Sequence, residues 1–157
     1  MTNTISMEKY VDPGIPRVTT IINNIHIPNT LIDLGATINV MTLETMKTLQ
    51  LTNLQHTTIV LELADRSKVI PEGILKDIIV SLDSWEYLAD FLVLQPKSIL
   101  GGHPLILGKP WLATANAFIG CRSGNMIIYR GTKRKKLTLY PLAQAPVVTH
   151  NLWLDDK

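Results

Sequence analysis

The chain has 157 residues, 46% hydrophobic and 18% charged, with fifteen basic and thirteen acidic side chains and a net charge of +2. That balance is too apolar for disorder and too near neutrality to point to a partner by charge, and the length fits one domain. A single cysteine, Cys121, excludes an internal disulfide framework and fits a reducing, cytoplasmic location; no membrane span or signal peptide is expected.

Residues 1–16 carry no period and end in Asp12-Pro13-Gly14-Ile15-Pro16, a turn-rich stretch read as a loose arm. Residues 18–22 are β-branched, and Asn23-Asn24 suits a tight hairpin turn into 25–27. Leu31-Ile32 then leads to Asp33. After it, 38–41 reads as a short strand, and Thr42 is placed to cap a helix over 43–49 with Leu43, Met46 and Leu49 on one face. Residues 57–63 alternate, with Ile59, Leu61 and Leu63 on one side. Asp65-Arg66-Ser67 makes a polar turn, and 69–79 returns, interrupted by Pro71 and Gly73. Such a hairpin is either a mobile cover over a cleft or an ordinary solvated hairpin.

Segments 78–82 and 88–94 flank a turn at Asp83-Ser84, and 95–103 is a flexible loop containing Gly101-Gly102. Residues 105–107 form a buried strand ending at Gly108. Pro110 favours the first turn of a helix over 109–117 that turns Trp111 and Leu112 inward. Strands follow at 118–119, 126–129 and 137–140, with a turn at 122–125. Lys133-Arg134-Lys135-Lys136 reads as a solvated hairpin turn; no aromatic residue interleaves it, so nucleic acid is not an expected partner. Residues 141–157 read as a tail.

The chemistry centres on Asp33-Leu34-Gly35-Ala36-Thr37. A lone carboxylate at the end of a buried strand is costly unless something uses or pairs it, and Gly35 leaves the backbone open beside it. The residues alone leave two roles open: a reactive acid, or a turn aspartate bonded to nearby amides. His26, His56, His103 and His150 lack metal-ligand spacing and are expected at the surface or in turns. Cys121 has no histidine near it in sequence, and there is no glycine-rich phosphate loop. No metal or cofactor is expected.

The Asp33 segment resembles the Asp-Thr/Ser-Gly-Ala-Ser/Thr signature of retroviral-type aspartic proteases, above all those of plant gypsy-type retrotransposon polyproteins. Leu63-Ala64-Asp65-Arg66-Ser67 is similar to the family's flap tip, and Pro71-Glu72-Gly73-Ile74 to the strand returning from it. Leu105-Ile106-Leu107-Gly108-Lys109-Pro110-Trp111-Leu112-Ala113-Thr114 resembles the family's Ile-Leu-Gly-Arg-Pro-Phe-Leu-Ala-Thr segment. The resemblance runs over about residues 17–140, which it marks as the domain between arm and tail.

It implies an all-β, retropepsin-like acid-protease half-barrel with one or two short helices, active as a symmetric homodimer. It also implies an aspartic endopeptidase acting on a retrotransposon polyprotein, with no cofactor. Hydrolysis needs two carboxylates, and this chain offers one credible acid, so Asp33 must meet Asp33 of a second copy. Carried over by position, Asp33 is catalytic. Gly35, Ala36 and Thr37 line the substrate floor, and Asp65, Arg66, Ser67 and Lys68 cover the substrate. Leu34, Ile106, Leu107 and Gly108 form the supporting loop. Two positions depart from the family: Lys109 stands where arginine is usual, and Leu34 replaces a Thr or Ser whose hydroxyl bonds across the dimer. Leu34 keeps open an alternative, a catalytically inactive relic serving as a dimerisation or peptide-binding module. A further rival is a nucleic-acid-associated fragment using Lys133 to Lys136.

Overall fold

In the computed structural model, the described residues are 14–63, 65–95 and 100–139. Hairpin chemistry starts the fold. Strands β1 (Arg17–Ile22) and β2 (Ile25–Ile32) are joined by Asn23-Asn24, with φ of 57° and 66°. Asparagine tolerates this left-handed backbone, and a two-residue hairpin turn requires it. The register shifts between Val18 and Thr20, opposite the stretch of β2 that contains Pro28, which has no N–H for the ladder. Inside, the buried hydroxyls of Thr20 and Thr30 bond each other at 2.9 Å, so neither is left unpaired.

Beyond Asp33 come β3 (Val40–Thr42) and helix α1 (Leu43–Thr48). The Thr42 side chain accepts a bond from the Thr45 N–H at 3.1 Å, capping the helix. Met46 and Leu49 go into the core, with Leu43 packed against it. A short hairpin follows, β4 (Leu61–Glu62) and β5 (Lys68–Val69). The long hairpin β6 (Gly73–Leu82) and β7 (Trp85–Leu94) turns at Asp83, φ 59°. Then come β8 (Leu105–Leu107), helix α2 (Lys109–Thr114), β9 (Phe118–Gly120), β10 (Asn125–Arg130) and β11 (Lys133–Thr138).

Six strands close a barrel in the order β1-β2-β8-β3-β7-β6, and Ile21 pairs with Ser81 to shut it. β8 lies between β2, to which it is parallel, and β3, to which it is antiparallel. A strand from late in the chain is thus inserted beside the one that leads to Asp33. The core holds Phe91, Leu105, Leu107 and Trp111, all fully buried. Trp111 meets Tyr87 edge-on at 5.8 Å. β9, β10 and β11 form a separate three-stranded sheet whose inner face, Met126 and Ile128, joins the same core.

The fold is of the expected kind, mostly β with two short helices and a closed six-stranded barrel. Several local expectations need correction. The strand expected over 57–63 shrinks to Leu61–Glu62, because β5 offers only Lys68 and Val69 for pairing; Ile59 and Val60 are exposed. The strand after Asp33 starts at Val40, not Ile38, since the preceding residues belong to the acid loop. Helix α2 stops at Thr114; Asn116 has φ 49°, which ends helical geometry. The basic run is strand, not turn: Gly131-Thr132 makes the turn, with φ 63° at Gly131, and Arg130 pairs with Lys133. His103 is not a surface residue but buried, its Nδ1 3.1 Å from the Asn29 carbonyl oxygen. The arm up to residue 13, the tail at 141–157 and loop residues 96–99 lie outside the described residues.

Candidate active site

The acid sits on a loop built from both ends of the chain. β2 delivers Asp33, whose N–H donates to the Leu107 carbonyl at 3.0 Å, continuing the β2–β8 ladder. The loop then closes on itself: the Ala36 N–H donates to the Asp33 carbonyl at 3.2 Å, and the Gly35 N–H donates to Asp33 Oδ1 at 2.9 Å. The carboxylate is therefore held in a turn yet half-exposed. The geometry matches the turn-aspartate description, a carboxylate bonded to a nearby amide.

β8 supplies the other half. The Lys109 N–H donates to the Ala36 carbonyl at 2.8 Å. A Cβ on Gly108 would lie 2.7 Å from the carbonyl oxygens of Ala36 and Ile38, both backbone atoms, so only glycine fits. Ile106, Leu107 and Gly108 are buried. The contact made by residue 109 is through its backbone, and lysine provides that as well as arginine does.

Asn39 locks the assembly, and sequence reasoning passed over it. It is 1% exposed. Its Oδ1 accepts from the Gly108 N–H at 2.8 Å, and its Nδ2 donates to the Asp90 carbonyl at 3.1 Å. Its own carbonyl accepts from the Leu92 N–H at 2.9 Å. One side chain thereby ties the acid loop, the β8 turn and β7 together. The available signal was a single amide between Ile38 and Val40 in an apolar run, where a buried polar group needs partners.

Leu34 projects from the loop and is 57% exposed, whereas Thr37 and Gly35 are exposed and Ala36 is half-buried. The β4–β5 hairpin is anchored beside the acid loop through its root. Leu61 and Val69 pack, with Leu31, Ala36 and Ile38, against the buried cluster Val40, Leu92, Leu94, Leu100 and Ile106. At the tip, Asp65, Arg66, Ser67 and Lys68 are exposed. Asp65 Oδ1 accepts from both the Ser67 hydroxyl and the Ser67 N–H, and those two bonds hold its carboxyl below the usual carboxylate range. Arg66 takes φ 71° to close this turn, and the Leu63 N–H donates to the Ser67 carbonyl at 2.8 Å. Gly73 lets the flap return under Gln55, whose carbonyl oxygen would be 2.5 Å from a Cβ there. A cavity of about 390 Å³ lined by Ile38, Asn39, Asp77 and Asp90 opens behind the loop rather than over the acid. Among the described residues no His/Cys/Asp/Glu cluster could hold a metal ion, and no helix is long and apolar enough to cross a membrane.

The chain thus carries one aspartate on a glycine loop, clamped between two barrel strands, with a short hairpin rooted in the neighbouring apolar cluster. Residues 3–134 match the family model described as retroviral aspartyl protease, and the chain belongs to that family. Two solved structures share the fold. The retroviral protease-like domain of Ddi1 from Leishmania major superposes with a TM-score of 0.63 at 16% identity, over 85% of this chain and 96% of that one. The EIAV protease, in complex with the inhibitor HBY-793, superposes with a TM-score of 0.55 at 19% identity, over 75% of this chain and 99% of that one. No curated protein matches the sequence.

Proposed function

We propose that the protein is an aspartic endopeptidase that works as a symmetric homodimer, with Asp33 of each copy meeting across a two-fold axis. The observation that carries this reading is the rigid setting of a single half-exposed carboxylate, bonded to Gly35 and clamped by β8. Two such carboxylates in proximity share one proton, because like charges that close do not both ionise. The ionised one takes a proton from water, and the resulting hydroxide adds to the peptide carbonyl carbon. The neutral one then protonates the departing amine as the carbon–nitrogen bond breaks. Gly35, Ala36 and Thr37 form the floor. Asp65, Arg66, Ser67 and Lys68 cover the chain being cut. The natural substrate we propose is a retrotransposon polyprotein, a reading supported by the sequence motifs around Asp33 and over residues 105–114.

The test is cleavage of a denatured protein at mildly acidic pH and high enzyme concentration, comparing wild type with Asp33→Asn. Cleavage by wild type that disappears in the variant supports the assignment. Absence of cleavage by a folded, dimeric wild type supports the second reading, a dimerisation or peptide-binding module. The observation favouring that reading is Leu34, which puts an exposed apolar side chain where the family carries a hydroxyl.

A further inference from the structure

We propose that the outer face of the β9–β10–β11 sheet binds single-stranded nucleic acid. Six of the fifteen basic residues lie within 118–139, and none of the thirteen acidic ones does. Strand register decides where those charges point. Lys135 sits on the inner side, opposite Ile128; it pairs with Asp83 at 3.5 Å and lies 5.1 Å from the Trp85 ring centre. Arg134 and Lys136 alternate to the outer side, both exposed, and neither forms an ion pair among the described residues.

The same register supplies the aromatic residues that the basic run lacks in sequence. Lys136 pairs with Ile127, which pairs with Phe118; Arg134 pairs with Tyr129. Phe118 is 58% exposed and meets Tyr129 edge-on at 5.8 Å. The face therefore presents two rings beside two cations. Phe118, Asn125, Ile127 and Lys136 help to line a groove of about 390 Å³ on it. The expectation against nucleic acid rested on the run itself having no interleaved aromatic residue, and pairing across strands removes that ground.

Rings accept stacked bases of any sequence, guanidinium and ammonium groups take phosphates, and the Asn125 amide is placed to bond a base edge. An acidic peptide would satisfy the cations and leave the rings without partners. A single strand uses both, which is why we favour it. Its bases are unpaired and free to lie on the sheet.

The experiment measures fluorescence anisotropy of a labelled poly-U RNA of about 12 nucleotides, a length within the site sizes of single-strand-binding folds. It uses the full chain at low salt. Binding should weaken steeply as salt rises, because released counterions drive it. Phe118→Leu, which keeps apolar bulk but removes the ring, should weaken binding roughly fivefold or more. Arg134→Gln with Lys136→Gln, both at exposed positions, should weaken it and flatten the salt slope by about 1.4 units. Lys76→Gln, exposed on β6, should change little. Four results would overturn the proposal. The first is no binding at low salt. The second is equal loss with Lys76→Gln. The third is displacement of the RNA by polyglutamate as effective as by unlabelled poly-U, which assigns the face to acidic peptides. A dimer lost on Phe118→Leu with RNA affinity unchanged would also overturn it and assign the face to a second copy.

Discussion

At the scale of single residues, the acid depends on a neighbour that does no chemistry. Asn39 Oδ1 accepts from the buried Gly108 N–H at 2.8 Å, and that bond fixes the turn on which Ala36 rests. Asn39→Ala leaves a buried donor unpaired, which costs about 1–3 kcal/mol. The expected result is a melting temperature lower by several degrees, with cleavage falling more than the loss of folded protein explains. The flap tip offers a cleaner reading. Asp65 titrates low because the Ser67 hydroxyl and amide bond its charged form. The stability this turn gains is present above the unfolded carboxylate range and disappears only as pH falls through the lowered folded value. Ser67→Ala should move the Asp65 carboxyl back toward the ordinary range, observable by carbon-13 NMR titration. Leu34→Thr restores a hydroxyl at the family's position; it should raise the cleavage rate or tighten the dimer, and no change in either would remove Leu34 as an explanation for weak activity.

At the scale of elements, helix α2 shows what patterning reveals and what it hides. Pro110 and the inward turn of Trp111 and Leu112 were legible from spacing alone, and both side chains are buried. What Trp111 costs was not legible: among the described residues, its buried Nε1 has no hydrogen-bond partner. Trp111→Ala should cost about 3–5 kcal/mol through the cavity it leaves, whereas Trp111→Phe removes the unpaired N–H along with part of the ring and should cost far less. Chemical denaturation of both variants checks the difference. The hairpins at Asn23-Asn24 and Asp83-Ser84 were readable because their turn chemistry is local. The flap strands and the basic strand β11 were misread, because pairing length and turn position are set by partners distant in sequence. Likewise the Asp33 motif was visible as a motif, while the amide that holds it was not, since Asn39 gains its meaning only when β7 and β8 arrive.

At the scale of the whole molecule, one chain supplies half of the proposed chemistry. If two copies must meet, specific activity should rise with protein concentration and level off once the dimer is complete, and the same transition should appear by analytical ultracentrifugation. Activity independent of concentration down to a fully monomeric sample would rule out a shared site. The barrel carries a consequence for biosynthesis as well. Asn39 and Gly108 are 69 positions apart, yet they bond each other. The Asp33 turn has no clamp until β8 has left the ribosome and slotted between β2 and β3. A nascent chain thus carries Asp33 long before it carries the frame that holds it, and the order of synthesis delays that setting until β8 is made.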